Sequence, residues 1–176
     1  ENFDIVVCSR EMEGADLSGQ DLLDELRRER QLPHSTVFVM VTAQASYNQV
    51  VEAAESALDG LLLRPYTGAA LAARVLEARQ RKRELADVMR ALDAGDQEAA
   101  LVRAVKRFQE RQPYWAYCGR LAAELLLALQ RPAEARIVFE KLTQTLPGAG
   151  WARLGQARAL VGQGDLAAAR KVVADL

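Results

Sequence analysis

The chain has 176 residues, of which half are hydrophobic and 27% are charged, and its formal net charge is −1. This balance argues against a protein that binds nucleic acid or a membrane surface as a whole. Two cysteines are too few for a disulfide framework, and no apolar run is long enough to span a membrane, so we expect a cytoplasmic protein. Because residue 1 is Glu rather than Met and a strand follows almost at once, we expect a fragment.

Three short apolar runs predict parallel strands of one sheet, and each run stops at a polar residue. The runs occupy residues 3–8, 37–41 and 60–63. The stretches between them have helical periodicity, over residues 18–30 and 46–57. The first run is apolar on both faces, so we expect both of its faces to be covered. Since the carboxyl ends of parallel strands meet at one edge, we expect the candidate site there.

The residues after the three runs are Ser9, Thr42, and Arg64 with Pro65. Their sequence contexts, Ser-Arg-Glu-Met, Val-Thr-Ala and Arg-Pro-Tyr-Thr, resemble the receiver domain of bacterial response regulators over residues 1–80. In that CheY-like family the first strand end carries the phospho-accepting Asp, the second a Thr or Ser, and the third a Lys-Pro. The resemblance implies a flavodoxin-like, doubly wound sheet that is partial, because this chain begins at the third strand.

The departures from the family pattern imply a vestigial phosphoacceptor pocket, made of Ser9, Thr42, Arg64 and Pro65. Ser9 replaces the nucleophilic Asp, and Leu61 stands at the switch position where the family carries an aromatic residue. A serine hydroxyl needs an adjacent base near pH 7, and the one histidine, in the loop before the second strand, lies away from this edge. We therefore expect no catalytic residue, no metal and no cofactor, with Mg²⁺ relevant only if the pocket is still active.

Two alternatives for this pocket stay open. The chain could be a phosphorelay response regulator that is still phosphorylated on a non-standard acceptor, such as Ser9 or Glu11. Glu11, Glu13 and Asp16 could also form a replacement acidic site, although solvated loop carboxylates are the simpler interpretation.

The strand at 3–8 raises a question of its own, because the strand that should pair beside it belongs to the missing part of the fold. A bare apolar edge strand invites pairing with another chain. We therefore expect this edge to be covered by a preceding segment or by another chain, which makes a homodimer through the receiver half one hypothesis.

The second half of the chain predicts helices only. Residues 67–93 read as one long helix, because they have helical periodicity and no Gly or Pro after Gly68. Beyond it, a shift of 34 residues aligns Pro113 with Pro147, Tyr117 with Trp151, and Ala135 with Ala169. A period of 34 with paired helices resembles the tetratricopeptide family, although a plain helical bundle is the alternative.

The predicted architecture is therefore α/β followed by all-α: a receiver domain at 1–80, a long connecting helix, and a tetratricopeptide helical-hairpin array at 81–176. The array comprises three repeats, at about 81–114, 115–148 and 149–176. Together the two resemblances imply a non-enzymatic adaptor protein of two-component signalling, with protein partners that bind through the repeats.

The candidate partner groove consists of Tyr117, Arg120, Glu124, Trp151 and Arg153. Packing between helices is the simpler explanation for the two aromatic residues, and an i,i+4 surface pair for Arg120 and Glu124. A DNA-binding output is the weakest hypothesis. It rests on the basic run of Arg79, Arg81, Lys82 and Arg83, which has no base-reading motif and lies where a solvated helix face is expected.

Overall fold

The computed structural model describes residues 3–12, 17–43 and 58–174, and the predicted helix at 46–57 lies outside these ranges. The chain divides into two compact units, Glu1–Ala94 and Gly95–Leu176. The first predicted repeat, 81–114, has residues in both units. The domain boundaries drawn from the sequence stay predictions.

The first unit contains a parallel sheet in the order β1 (Ile5–Ser9), β2 (Val37–Thr42), β3 (Gly60–Leu63), as the apolar runs predict. The register sets Ser9 opposite Val41, and Thr42 opposite Leu63. Every residue of β2 is buried, which explains its continuous apolar sequence, since a central parallel strand meets a packed layer on each face.

Two helices cover the two faces of this sheet. Helix α1 (Gly19–Arg28) begins at a capping box in which Ser18 and Asp21 bond each other's backbone N–H groups, and its Leu23 packs with Phe38 and Met40. Helix α2 (Gly68–Glu84) is capped by Thr67, and its Ala78 packs on the opposite face. The predicted helix at 18–30 and its serine cap are confirmed.

The single helix predicted for 67–93 is wrong, because the chain breaks at Leu85 before a separate helix, α3 (Ala86–Asp93). Leu85 leaves the helical region at φ −101° and ψ 21°, and its side chain is fully buried together with Val88. The break lies at a buried leucine rather than at a Gly or Pro, so the local pattern carries no sign of it.

The expectation that both faces of β1 are covered is also wrong for the described residues. Val6 and Cys8 pack on the α1 side, but Ile5 and Val7 on the other face are 39% and 45% exposed. Within the described part of the sheet, β1 pairs with β2 alone. Coverage of its second edge stays a prediction.

The second unit is a helical array. Its helices are α4 (Gln97–Gln109), α5 (Trp115–Ala128), α6 (Pro132–Thr145), α7 (Gly150–Gly162) and α8 (Leu166–Ala174). Each helix packs against the next, and α5 also contacts α7. Gly155 lets α7 approach α6, since a Cβ there would lie 2.3 Å from the buried ring of Phe139. Throughout the described ranges, every helix is too short or too polar to cross a lipid bilayer.

Candidate functional site

Three of the predicted pocket residues meet at the carboxyl-terminal edge of the sheet. Arg64 donates a hydrogen bond from Nη2 to Ser9 Oγ at 3.1 Å, and the Ser9 hydroxyl donates to the carbonyl oxygen of Glu11 at 2.8 Å. The backbone N–H of Arg64 donates to the carbonyl oxygen of Thr42 at 2.9 Å, which fixes the start of the turn after β3. Pro65 follows across a cis peptide bond and is exposed.

The carboxylate of Glu11 lies in the middle of this group. It accepts a hydrogen bond from the Thr42 hydroxyl at 2.5 Å and a longer one from the backbone N–H of Ala43 at 3.4 Å. The bond from Thr42, assisted by backbone N–H groups and the charge of Arg64, lowers the pKa of Glu11. Thr42 is fully buried, whereas Glu11 is exposed, so the carboxylate lies on the solvent side of the buried hydroxyl.

The loop that carries Glu11 is anchored by a backbone hydrogen bond at each of its ends. The backbone N–H of Arg10 donates to the Val41 carbonyl at 2.8 Å, and the Gly19 N–H donates to the Arg10 carbonyl at 2.9 Å. A Cβ at Gly19 would lie 2.3 Å from the carbonyl oxygen of Ser9, so glycine lets α1 begin against the strand end. Glu13 and Asp16, the other members of the hypothetical acidic site, lie outside the described residues.

A second polar cluster lies at the opposite, amino-terminal edge of the sheet. The carboxylate of Asp59 is 2% exposed; its Oδ2 lies 2.7 Å from Lys82 Nζ, and its Oδ1 lies 3.2 Å from Arg81. The same Oδ2 accepts the backbone N–H of Phe38 at 2.8 Å. Lys82 also donates to the carbonyl oxygens of His34 and Thr36, so this cluster binds α2 to the start of β2.

Burial shifts the titration of two groups in this cluster. It lowers the pKa of Lys82 to about 8, although the charge of Asp59 opposes the shift. It also lowers the pKa of His34 to about 4, with the nearby charge of Arg27 acting in the same direction. His34 is held in place through its backbone, whose N–H donates to Asp93 and whose carbonyl accepts from Lys82.

The cluster corrects the interpretation of the basic run on α2. Lys82 is buried and Arg81 is largely buried, and both bind Asp59, so the expected solvated helix face is wrong for these two residues. Sequence reasoning missed Asp59 because the Asp-Gly pair resembles a turn signal. Its position directly before an apolar strand is the one sign in the sequence that the carboxylate is buried.

In the second unit, predicted groove residues meet between α5 and α7. The guanidinium of Arg120 lies over the ring of Trp151, 5.3 Å from its centroid. Glu124 pairs with Arg158 at 3.1 Å, and these two residues are separated by one period of 34 residues. Tyr117 and Arg153 lie on the same two helices and are partly exposed.

Comparison with known proteins gives matches of two kinds. A family model described as Tetratricopeptide repeat matches residues 126–176. Chemotaxis protein CheY-3 of Vibrio cholerae serotype O1 is 39% identical over 70 residues, which make up 40% of this chain and 52% of that protein. Chemotaxis protein CheY of Pseudomonas aeruginosa is also 39% identical over 70 residues, or 40% of this chain and 54% of that protein. No solved structure matches the chain.

The chain therefore resembles a CheY-like receiver segment fused to tetratricopeptide repeats. The family resemblance predicted from the strand-end motifs and the 34-residue period is therefore confirmed. The chain spans about half the length of the curated CheY relatives it matches. The tetratricopeptide match contains all of α6, α7 and α8.

Leu61, at the predicted switch position of the receiver segment, packs against the core that α1 covers. It is partly buried beside the cluster that contains Phe38 and Met40. A leucine in this position contributes apolar packing and has no polar atom that could form a hydrogen bond with a group in the pocket.

Proposed function

We propose that the chain is a non-enzymatic adaptor of two-component signalling, in which the receiver segment takes no phosphoryl group and the repeats bind a protein partner. The observation that carries this proposal is the bonding of Ser9. Its hydroxyl donates to the Glu11 carbonyl and its oxygen accepts from Arg64. The position where receivers carry a nucleophilic carboxylate thus holds a hydroxyl with a structural role.

The chemistry around Ser9 supports a pocket without phosphoryl transfer. A serine nucleophile needs a neighbouring base, and the guanidinium of Arg64 stays protonated and cannot serve as one. Mg²⁺ prefers carboxylate oxygens, and Glu11 offers oxygens that already accept hydrogen bonds from Thr42 and Ala43. Because Ser9 offers a hydroxyl where an active receiver offers a carboxylate, the described residues supply a weaker set of ligands for magnesium.

The surface between α5 and α7 supports the binding role of the repeats. Stacked helical hairpins create extended concave surfaces that bind partners, and tryptophan and arginine are enriched among residues that dominate binding energy. This surface carries the ring of Trp151 in contact with Arg120, and the Glu124–Arg158 ion pair lies on the same helices. It therefore offers a partner an aromatic ring and charges of both signs. Such a surface suits a protein partner, and we propose that the adaptor works in the cytoplasm without contacts to nucleic acid or membrane.

The receiver half of the proposal is tested by incubating the full chain with acetyl phosphate and Mg²⁺ and measuring the intact mass. We expect no stoichiometric phosphorylation. Ser9→Asp, which restores a carboxylate, is the matched variant that shows whether the rest of the pocket can support the reaction. Phosphorylation of the unmodified chain that disappears in Ser9→Ala or Glu11→Ala would reject the proposal in favour of the non-standard acceptor.

The binding half is tested by affinity capture with the full chain as bait and identification of the captured proteins. Trp151→Ala and Arg120→Ala are expected to lose the partner that the unmodified chain captures. Arg103→Ala, an exposed arginine on α4, is the matched control and is expected to retain it. Equal capture by all variants would place the interaction elsewhere on the chain.

A further inference from the structure

The hydrogen-bond donors at the predicted phosphoacceptor pocket already bind an anion, and that anion is a side chain of the same protein. A hydroxyl from Thr42 and a backbone N–H from Ala43 both donate to the carboxylate of Glu11. The guanidinium of Arg64 lies beside this group, 3.1 Å from Ser9 Oγ, and its charge helps to lower the pKa of Glu11. A hydroxyl and an amide that donate to one point, with a guanidinium beside them, are the usual composition of a site for phosphate or another oxyanion.

We propose that this pocket is an oxyanion site whose resident anion is the Glu11 carboxylate, which closes it to inorganic phosphate and similar tetrahedral oxyanions. The inference rests on the proposed function, because it assumes a receiver segment that takes no phosphoryl group. It goes further by assigning Glu11 a role that no sequence motif indicates, namely that of a built-in competitor for the phosphate donors.

Tethering explains why the chain's own carboxylate prevails over a free anion. An intramolecular ligand acts at a high effective concentration because its attachment has already restricted its position. Here the attachment is short and well anchored, since the Arg10 N–H bonds the Val41 carbonyl and the Ser9 hydroxyl bonds the Glu11 carbonyl. A free phosphate must displace this carboxylate and overcome the repulsion between two negative charges.

Arg64 contributes in two ways to the proposed site. Through Ser9 it holds the backbone carbonyl of Glu11, which positions the loop that carries the carboxylate. Its guanidinium is nevertheless exposed, so it can approach a ligand once the Glu11 carboxylate is removed. Removing Glu11 should therefore leave a positively charged pocket with the Thr42 hydroxyl and the Ala43 N–H as donors.

The test measures the binding of inorganic phosphate to the full chain by titration, with the amide signal of Ala43 followed by NMR. Glu11→Ala is expected to bind phosphate about tenfold or more tightly than the unmodified chain. The double variant Glu11→Ala/Thr42→Val is expected to lose this gain. Glu29→Ala is the control, because it makes the same change in net charge at an exposed site at the end of α1.

The proposal is overturned if Glu11→Ala binds phosphate no more tightly than the unmodified chain, or if Glu29→Ala gains as much. A second measurement does not depend on phosphate: the Glu11 carboxyl, followed by carbon NMR, should titrate at higher pH in Thr42→Val. Identical titration in the two proteins also overturns the proposal. Phosphorylation of the unmodified chain by acetyl phosphate would instead reject the proposed function, so the two failures are distinguishable.

Discussion

The two edges of the receiver sheet each carry a carboxylate beside a cation, but they differ in their access to water. At the amino-terminal edge, the Asp59 side chain is 2% exposed and lies against Lys82 and Arg81. At the carboxyl-terminal edge, Glu11 is exposed and bonds the buried hydroxyl of Thr42. Water can replace a lost partner at the second edge and not at the first, so one cluster stabilises the fold while the other is free to serve as a site.

The largest effect is expected from Asp59→Ala. This change leaves the ammonium of Lys82 buried without its counter-ion, and breaking a buried pair in this way costs about 3–5 kcal/mol. Because both tryptophans, Trp115 and Trp151, lie in the second unit, hydrogen exchange at the amides of β2 is the suitable measurement.

Two matched variants sharpen this first prediction. Glu11→Ala removes the carboxylate of the exposed edge and should speed exchange at β2 much less than Asp59→Ala does. Asp59→Ala/Lys82→Met removes the buried Asp59–Lys82 pair as a whole and should recover part of the loss. If Asp59→Ala exchanges no faster than Glu11→Ala, the contrast between the two edges is wrong.

The pH dependence of stability should also distinguish the edges. The pKa of folded His34 is lowered to about 4 by burial, so between pH 6.5 and 4 the unfolded state binds more protons. As the pH decreases from 6.5 to 4, the free energy of unfolding of the receiver segment should therefore decrease by about 1–3 kcal/mol. His34→Gln, which stays uncharged, should remove this decline in a series of exchange measurements.

Glu11 contributes in a lower pH window. Its pKa in the folded protein is lowered, so its contribution is present above the ordinary glutamate value and is lost as pH falls through the lowered one. A decline between pH 6.5 and 4 that persists in His34→Gln and disappears in Glu11→Ala would reverse this assignment.

The contrast between enclosed and open surroundings extends to the repeats. In Gly155→Ala, the added methyl group would meet the fully buried ring of Phe139, and such overpacking lowers the free energy of unfolding by about 1–3 kcal/mol. Tryptophan fluorescence during urea denaturation measures the loss, since both tryptophans lie in this unit. At Gly148 a Cβ would have open space, so Gly148→Ala should not destabilise the repeats. Equal stability of the two variants would contradict the close approach of α7 to α6.

The smallest effect is expected for the pair of Glu124 and Arg158, whose side chains are 31% and 49% exposed. A double-mutant cycle with alanine at both positions should give a coupling of about 0.2–1 kcal/mol that decreases as salt is added. A coupling as large as that of the buried Asp59–Lys82 pair would mean that exposure does not decide the strength of these ion pairs.

Much of the local structure follows from patterns that residues carry by themselves. The apolar runs, the serine at the start of α1 and the proline at the start of α6 each act through neighbouring backbone, so their consequences can be predicted from sequence. The break at Leu85 could not be predicted in this way. It lies at a fully buried leucine in a stretch without Gly or Pro, and no neighbouring residue indicates it.

The sequence by itself determined that Ser9, Thr42 and Arg64 would meet, because parallel strands bring their carboxyl ends to one edge of the sheet. The 34-residue period likewise determined a helical array. Only the tertiary structure decided that Glu11 would bond Thr42, 31 residues away, and that Asp59 would be buried with Lys82. These contacts depend on how side chains distant in sequence are oriented and packed, and local periodicity carries no information about that.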